Sequence, residues 1–273
     1  MNRSKSRLIW PVSFGIACLL QYATTCLGQV STPVIGVARL GDGSLRILYG
    51  VPDNVIVDSQ SLDRVEAASF SDAAGLVLKS GRIELLDRQF HVLGEYDTAD
   101  ANALLNIDGG AETAIAWLPG SETLLHLEGS AFQPLRVQGL EHTFKITSLR
   151  RNGSTADLLL SNANGNAFQG SVSLKTGELT SLAALQGING TAFWAGKRIL
   201  FADSNGLAVQ EHNGAVERLE TGADNLAFTH MSSQWVLVTS ATTQRSWAVN
   251  LGGAHVRVSE IPAVPATVQE GVR

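Results

Sequence analysis

The chain has 273 residues, a formal charge of −5, two cysteines and 16% charged residues. An acidic balance argues against nucleic acid or an anionic lipid surface as partner, because phosphate binding needs a basic face. The length allows one large domain or two ordinary ones.

Arg3, Lys5 and Arg7 are the only charges before residue 39, and an apolar stretch runs from Leu8 to Leu20. That stretch falls short of the roughly 20 apolar residues a spanning helix needs. Small and polar residues then lead to Cys26, Leu27 and Gly28. A basic start, a short apolar middle and small residues at −1 and −3 describe a secretory signal peptide over 1–28, cleaved after Gly28. An uncleaved anchor is the alternative. Lipidation of Cys26 is another, opposed by Ala23 three places earlier, where a lipoprotein carries a branched apolar residue. Cleavage removes Cys18 and Cys26 with three basic residues and no acid, so the mature chain carries about −8 and forms no disulfide. A periplasmic or extracellular location follows, with no stable membrane insertion after cleavage.

Beyond the signal, short β-favouring runs alternate with Gly, Asn, Asp and Ser, and helical periodicity is missing. The first module is a hairpin, Val34–Arg39 and Leu45–Gly50, with Val55–Asp58 as a further candidate strand. It resembles the outer two strands of the later groups. Those groups each contain four runs. The first reads Ala67–Phe70, Leu76–Lys79, Arg82–Leu86 and His91–Tyr96. The second reads Ala103–Asp108, Thr113–Leu118, Thr123–Glu128 and Phe132–Gln138, and the third Phe144–Arg150, Ala156–Ser161, Phe168–Leu174 and Leu179–Leu185. The fourth reads Thr191–Trp194, Arg198–Ala202, Leu207–Glu211 and Ala215–Glu220. The fifth reads Leu226–His230, Trp235–Thr239, Ser246–Leu251 and His255–Ile261.

A four-strand unit repeating every 35 to 47 residues or so is the period of propeller blades. One small sheet cannot bury both its faces, and stacking blades around an axis does so while leaving short edges. The fold expected is an all-β propeller of four-stranded blades over 29–262, followed by a C-terminal tail over 263–273. Counting the first module as a blade gives six, the preferred number, with five or seven as alternatives. Asn213-Gly214 and Asn205-Gly206 sit between consecutive strands of a blade, where tight hairpins need positive φ.

The opening of the mature chain carries a resemblance. Val34, Gly36 and Val37, then Leu45, Arg46, Gly50, Val51 and Pro52, form a Val-x-Gly-Val strand and a Leu-Arg strand ending in Gly-Val-Pro. In this the chain resembles a loosely defined class of exported bacterial β-propeller-like proteins. The match covers under a tenth of the chain, and it implies export and a propeller without implying an activity.

The sequence contains no Gly-x-Ser-x-Gly elbow, no His-Glu-x-x-His helix and no phosphate loop. A thiol nucleophile is excluded once the signal is removed. No cofactor is expected. The four tryptophans after the signal (Trp117, Trp194, Trp235, Trp247) lie within strand runs, as residues packed between blades would. One constellation points to binding. The links from the outer strand of one blade to the inner strand of the next all emerge on one face. These links hold Asp100 and Asn102, Glu141 and His142, Asn189, and Asp224 and Asn225. Gathered at the channel mouth, carboxylates and an imidazole can bind a cation or a polar ligand, although Asp and Asn are also ordinary turn residues. The residues do not specify a metal. The favoured function is a non-catalytic scaffold for a protein or a small polar ligand. The alternative is an extracytoplasmic hydrolase or lyase with a metal at the channel mouth.

Overall fold

Alternating apolar and polar positions, interrupted by turn residues, build six antiparallel sheets arranged as blades around one axis. The computed structural model describes residues 32–60, 63–204, 206–219, 221–222 and 224–262. The expected signal 1–28, its cleavage site and the tail 263–273 lie outside the described residues. No described helix is long and apolar enough to cross a membrane.

Blade 1 contains β1 (Val34–Arg39), β2 (Ser44–Val51), β3 (Asn54–Val57) and β4 (Asp63–Arg64). Blade 2 contains β5 (Ala67–Phe70), β6 (Gly75–Lys79), β7 (Arg82–Leu86) and β8 (Val92–Asp97). Blade 3 contains β9 (Leu104–Asn106), β10 (Ile115–Leu118), β11 (Thr123–Glu128) and β12 (Ala131–Arg136), with a single 3-10 turn at Ala111–Thr113. Blade 4 contains β13 (Lys145–Asn152), β14 (Thr155–Ser161), β15 (Asn166–Ser173) and β16 (Leu179–Asn189). Blade 5 contains β17 (Ala192–Ala195), β18 (Arg198–Asp203), β19 (Gly206–Gln210) and β20 (Val216–Leu219). Blade 6 contains β21 (Leu226–Ser232), β22 (Trp235–Ser240), β23 (Ser246–Asn250) and β24 (Arg257–Ile261). The preferred count of six therefore holds.

The two-residue period of a strand divides each blade between two neighbours. In blade 3, Ala116, Leu118, Leu125 and Leu127 pack with Leu76, Leu78, Ile83 and Leu85 of blade 2. The alternate residues Ile115, Trp117 and Leu124 pack with Ile146, Leu149 and Leu158 of blade 4. Each of the remaining seams has its own apolar cluster: Leu159 with Trp194, Leu200 with Val238, Leu48 with Leu237, and Leu45 with Val77. Burying one such leucine stabilises the fold by roughly 1.5–3 kcal/mol. The four tryptophans lie in these seams, none more than 8% exposed. The outermost strands β8 and β20 contain no buried residue, so polarity rises from axis to rim.

Buried hydroxyls join inner strands across the seams. Ser69 Oγ accepts the Ile107 N–H at 3.2 Å, and Ser148 Oγ accepts that of Trp194 at 3.0 Å. An axial cavity of about 180 Å³ touches every blade, including Arg39, Glu66, Leu104, Thr147, Phe193 and Phe228.

Blade 1 departs from expectation. Its first hairpin resembles an outer pair in sequence, yet β1 is innermost and packs against both β5 and β21. Along β2, β1 occupies one edge, while β3 and β4 lie end to end along the other. The blade is thus three strands wide. An odd number of antiparallel strands returns the chain to the opposite face, so β1 must run against the other inner strands to deliver the chain to β5. Two contacts show that it does. Gly36, near the start of β1, abuts Met231 near the end of β21, while Arg39 at its end donates to the Val65 carbonyl at 2.7 Å, just before β5. Every blade is one continuous stretch of chain, so blades 1 and 6 close the ring without a shared strand, by packing and by a hydrogen bond from the Asp53 N–H to Ser259 Oγ at 2.7 Å.

Candidate binding groove on the link face

In blades 2 to 6 each inner strand begins at the face where the inter-blade links emerge, and the turns between second and third strands lie on that same face. Hydrogen bonds tie link to turn. Asp100 accepts the Gly120 N–H at 2.8 Å through one carboxylate oxygen and the Ser121 hydroxyl at 3.3 Å through the other. The Asp224 carbonyl accepts the Ser240 hydroxyl at 3.1 Å, and the Asn225 carbonyl accepts the Ala241 N–H at 3.2 Å. Asn225 adopts a left-handed φ of 48°, a conformation asparagine tolerates well. Asn189 is the last residue of β16 and pairs in register with Asn166.

Three of the seven sequence-selected residues meet in one groove. Asn102, Glu141 and His142 line a depression of about 690 Å³ that runs from the starts of β5 and β9 to the start of β13. Asp100, Asn189, Asp224 and Asn225 are not among its lining residues. The floor is apolar, formed by Leu104, Trp117, Val137, Leu140, Phe144 and Ile146. Trp117 and Val137 are buried there by packing between blades 3 and 4. The aromatic ring of Phe144 is fixed edge-on against Phe168, with centroids 5.0 Å apart.

The rim is charged and mainly acidic. Glu66, Glu122 and Glu141 stand against Lys145, with His142 beside them. His142 Nδ1 lies 2.9 Å from Glu122 Oε1, and Arg136 approaches the other Glu122 oxygen at 4.0 Å. Glu141 accepts the Thr143 hydroxyl at 3.3 Å. The His142 side chain is 88% exposed, so the pair with Glu122 contributes little to stability and leaves both groups free to reorganise around a ligand. Among the described residues, no three His, Cys, Asp or Glu side chains are placed to hold a metal ion.

Glu66, Glu122 and Lys145 are not among the residues selected from the sequence. Glu122 sits in a turn within blade 3, held at φ 51°, and its position follows from the β10–β11 connection reaching the same face. Glu66 immediately precedes β5 and Lys145 is the first residue of β13, and both become part of the rim because those inner strands begin here.

No family model matches the chain, and neither does any curated protein. Solved structures resemble the chain at low identity. The β-propeller domain of Cps50 (Swd1) from Myceliophteria thermophila is 12% identical, covering 85% of this chain and 88% of that one, with a TM-score of 0.48. BamB from Moraxella catarrhalis is 11% identical, over 85% of this chain and 91% of that one, with a TM-score of 0.37. Streptogramin B lyase is 14% identical, over 72% and 68%, with a TM-score of 0.44. Such distant likenesses say nothing of function.

Proposed function

We infer that the protein is a non-catalytic, exported propeller that binds a polypeptide segment in the link-face groove. The observation carrying this reading is the pairing of an apolar floor with a rim of three carboxylates. An aliphatic or aromatic side chain fits the floor, and flanking lysine or arginine answers the rim. The occupant is therefore a partner segment mixing basic and apolar residues.

Selection of phage-displayed 12-residue peptides on the immobilised domain tests the reading. Peptides combining Lys or Arg with Leu, Phe or Trp should be enriched. Glu122→Lys combined with Glu141→Lys should abolish the enrichment, because it reverses two of the three rim carboxylates that answer the basic residues. No enrichment, or enriched peptides that bind the double variant equally well, overturns it.

Export rests on the order of charge and hydropathy in the first 28 residues. N-terminal sequencing of protein recovered from the cell envelope or medium should begin at Gln29. Recovery of the full-length chain in the membrane pellet would contradict it.

A further inference from the structure

Among the described strands, the outer edge of blade 4 stands apart. Its last strand, β16, is 11 residues long and contains neither a charged residue nor a proline. An exposed strand edge offers unpaired N–H and C=O groups to any other strand, and proteins guard such edges with charge, proline or brevity. The other blades are guarded in this way. β8 carries Glu95 and Asp97, β12 carries Pro134 and Arg136, β20 carries Glu217 and Arg218, and β24 carries Arg257 and Glu260. The edge of blade 1 is the short β3 between Asp53 and Asp58, continued by Asp63 and Arg64 of β4.

The bare stretch of β16 has defined ends. Before it, Glu178 forms a bridge with Gln138 of the preceding link, and the Leu179 N–H donates to the Gln138 carbonyl at 3.0 Å. Pairing with β15 is irregular between Leu179 and Ser181 and again beyond Ala184, while Ser181–Ala184 stand opposite Phe168–Ser171 in unbroken register. Thr180–Ala184 are all exposed, Leu182 by 42%, and no described strand pairs with their outer side.

The order of residues along this edge selects its occupant. Leu179, Thr180, Ser181, Leu182, Ala183, Ala184 and Leu185 form a near-palindrome of leucine and small residues centred on Leu182. Two antiparallel copies related by a two-fold axis at Leu182 set Leu182 against Leu182, Ser181 against Ala183 and Thr180 against Ala184. Leucine meets leucine, small meets small, and no charge meets a like charge. A two-fold interface demands this self-complementarity, whereas a foreign strand does not. On a chain of formal charge −5, a neutral edge is also where two copies approach with least repulsion.

We propose that β16 pairs with β16 of a second copy, joining two propellers rim to rim in a weak two-fold dimer whose sheet runs on from one blade 4 into the other. The paired stretch is short and buries far less than the roughly 1,200–2,000 Å² of a stable interface, so assembly is expected at protein concentrations of about 100 μM and above.

Sedimentation equilibrium of the whole protein from about 10 μM to about 1 mM should show monomer passing into dimer. Leu182→Lys sets two ammonium groups face to face and should raise the dissociation constant by about tenfold or more. Leu93→Lys, on the exposed edge strand β8, should leave it unchanged. Disulfide trapping reads the register, in protein carrying Cys18→Ser and Cys26→Ser so that the introduced thiol stands alone. Leu182→Cys places two thiols across the axis with Cα atoms roughly 5 Å apart and should yield a covalent dimer under mild oxidation. Ser181→Cys places them roughly 8 Å apart and should not. Monomer at every concentration, a dimer that Leu182→Lys leaves intact, or equal trapping by the two thiols overturns the proposal.

Discussion

Replacing Gly36 with alanine will open the seam that closes the ring. A Cβ at this position would lie 2.2 Å from the Met231 carbonyl oxygen and 2.7 Å from its carbon. Both are backbone atoms of β21, and neither can rotate away. The pairing of β1 with β2 is irregular between Val34 and Gly36, next to this contact. Relief requires β1 to withdraw, which pulls Ile35 and Ala38 from their contacts with Met231, Trp235 and Leu237. Overpacking alone costs roughly 1–3 kcal/mol, and lost burial adds to it, so a total of about 3 kcal/mol or more is expected. For a domain of this size that lowers Tm by about 6–12 °C. Gly41→Ala is the control, since nothing lies within 4 Å of a Cβ there. Its Tm should stay within about 2 °C of wild type. Hydrogen exchange in Gly36→Ala should quicken in β1 and β21 before it does so in blades 3 and 4. A Tm equal to that of the Gly41 variant would show that the seam is not tight.

The seam also shows where sequence reading succeeds and where it stops. Blades 2 to 6 were legible because each strand carries its own period of two and each turn its own chemistry. The expected Arg82–Leu86 and Thr123–Glu128 match β7 and β11 residue for residue. Blade 1 was less so. β4 is two exposed polar residues, Asp63 and Arg64, whose strand character comes from pairing with β2 and from nothing in their composition. Because β4 continues the edge begun by β3 and adds no fourth row, the blade is three strands wide, and this is what sets the direction of β1. The candidate site was legible to the same depth. Chain topology alone places the links on one face, and so Asn102, Glu141 and His142 were found. Asp100 resembles them in sequence, but its two oxygens are occupied by Gly120 and Ser121, and composition cannot reveal that.

Acidification from pH 6.5 to 4 will remove about 3 kcal/mol of stability through His230. This residue ends an expected inner strand, as read from the sequence, but it faces the seam of blades 5 and 6 and not the axial cavity. It is 3% exposed, and its ring packs against Phe193 with centroids 4.8 Å apart. One ring nitrogen is bonded to the Trp194 backbone, while Nε2 is buried without a partner. Burial pushes the pKa down from 6.5 to about 4, and the bond to Trp194 opposes this only weakly. The folded state therefore binds the proton less readily than the unfolded state. Stability is full above pH 6.5, falls as the pH drops through the window, and levels off below about 4, at roughly 1.36 kcal/mol per unit of pH. His126 is shifted in the same direction by burial and by the charge of Arg151, and steepens the fall. Asp42 and Asp63, whose pKa values are lowered by hydrogen bonds to Ser44 and Lys79, add their losses only below the ordinary carboxylate range. Urea unfolding at half-unit steps from pH 4 to 8 measures the slope. His230→Asn keeps a donor for the Trp194 carbonyl and cannot titrate, so whatever it costs at pH 8, its curve should be flatter than wild type by about 3 kcal/mol across the window. Parallel curves for the two proteins would place the acid sensitivity elsewhere.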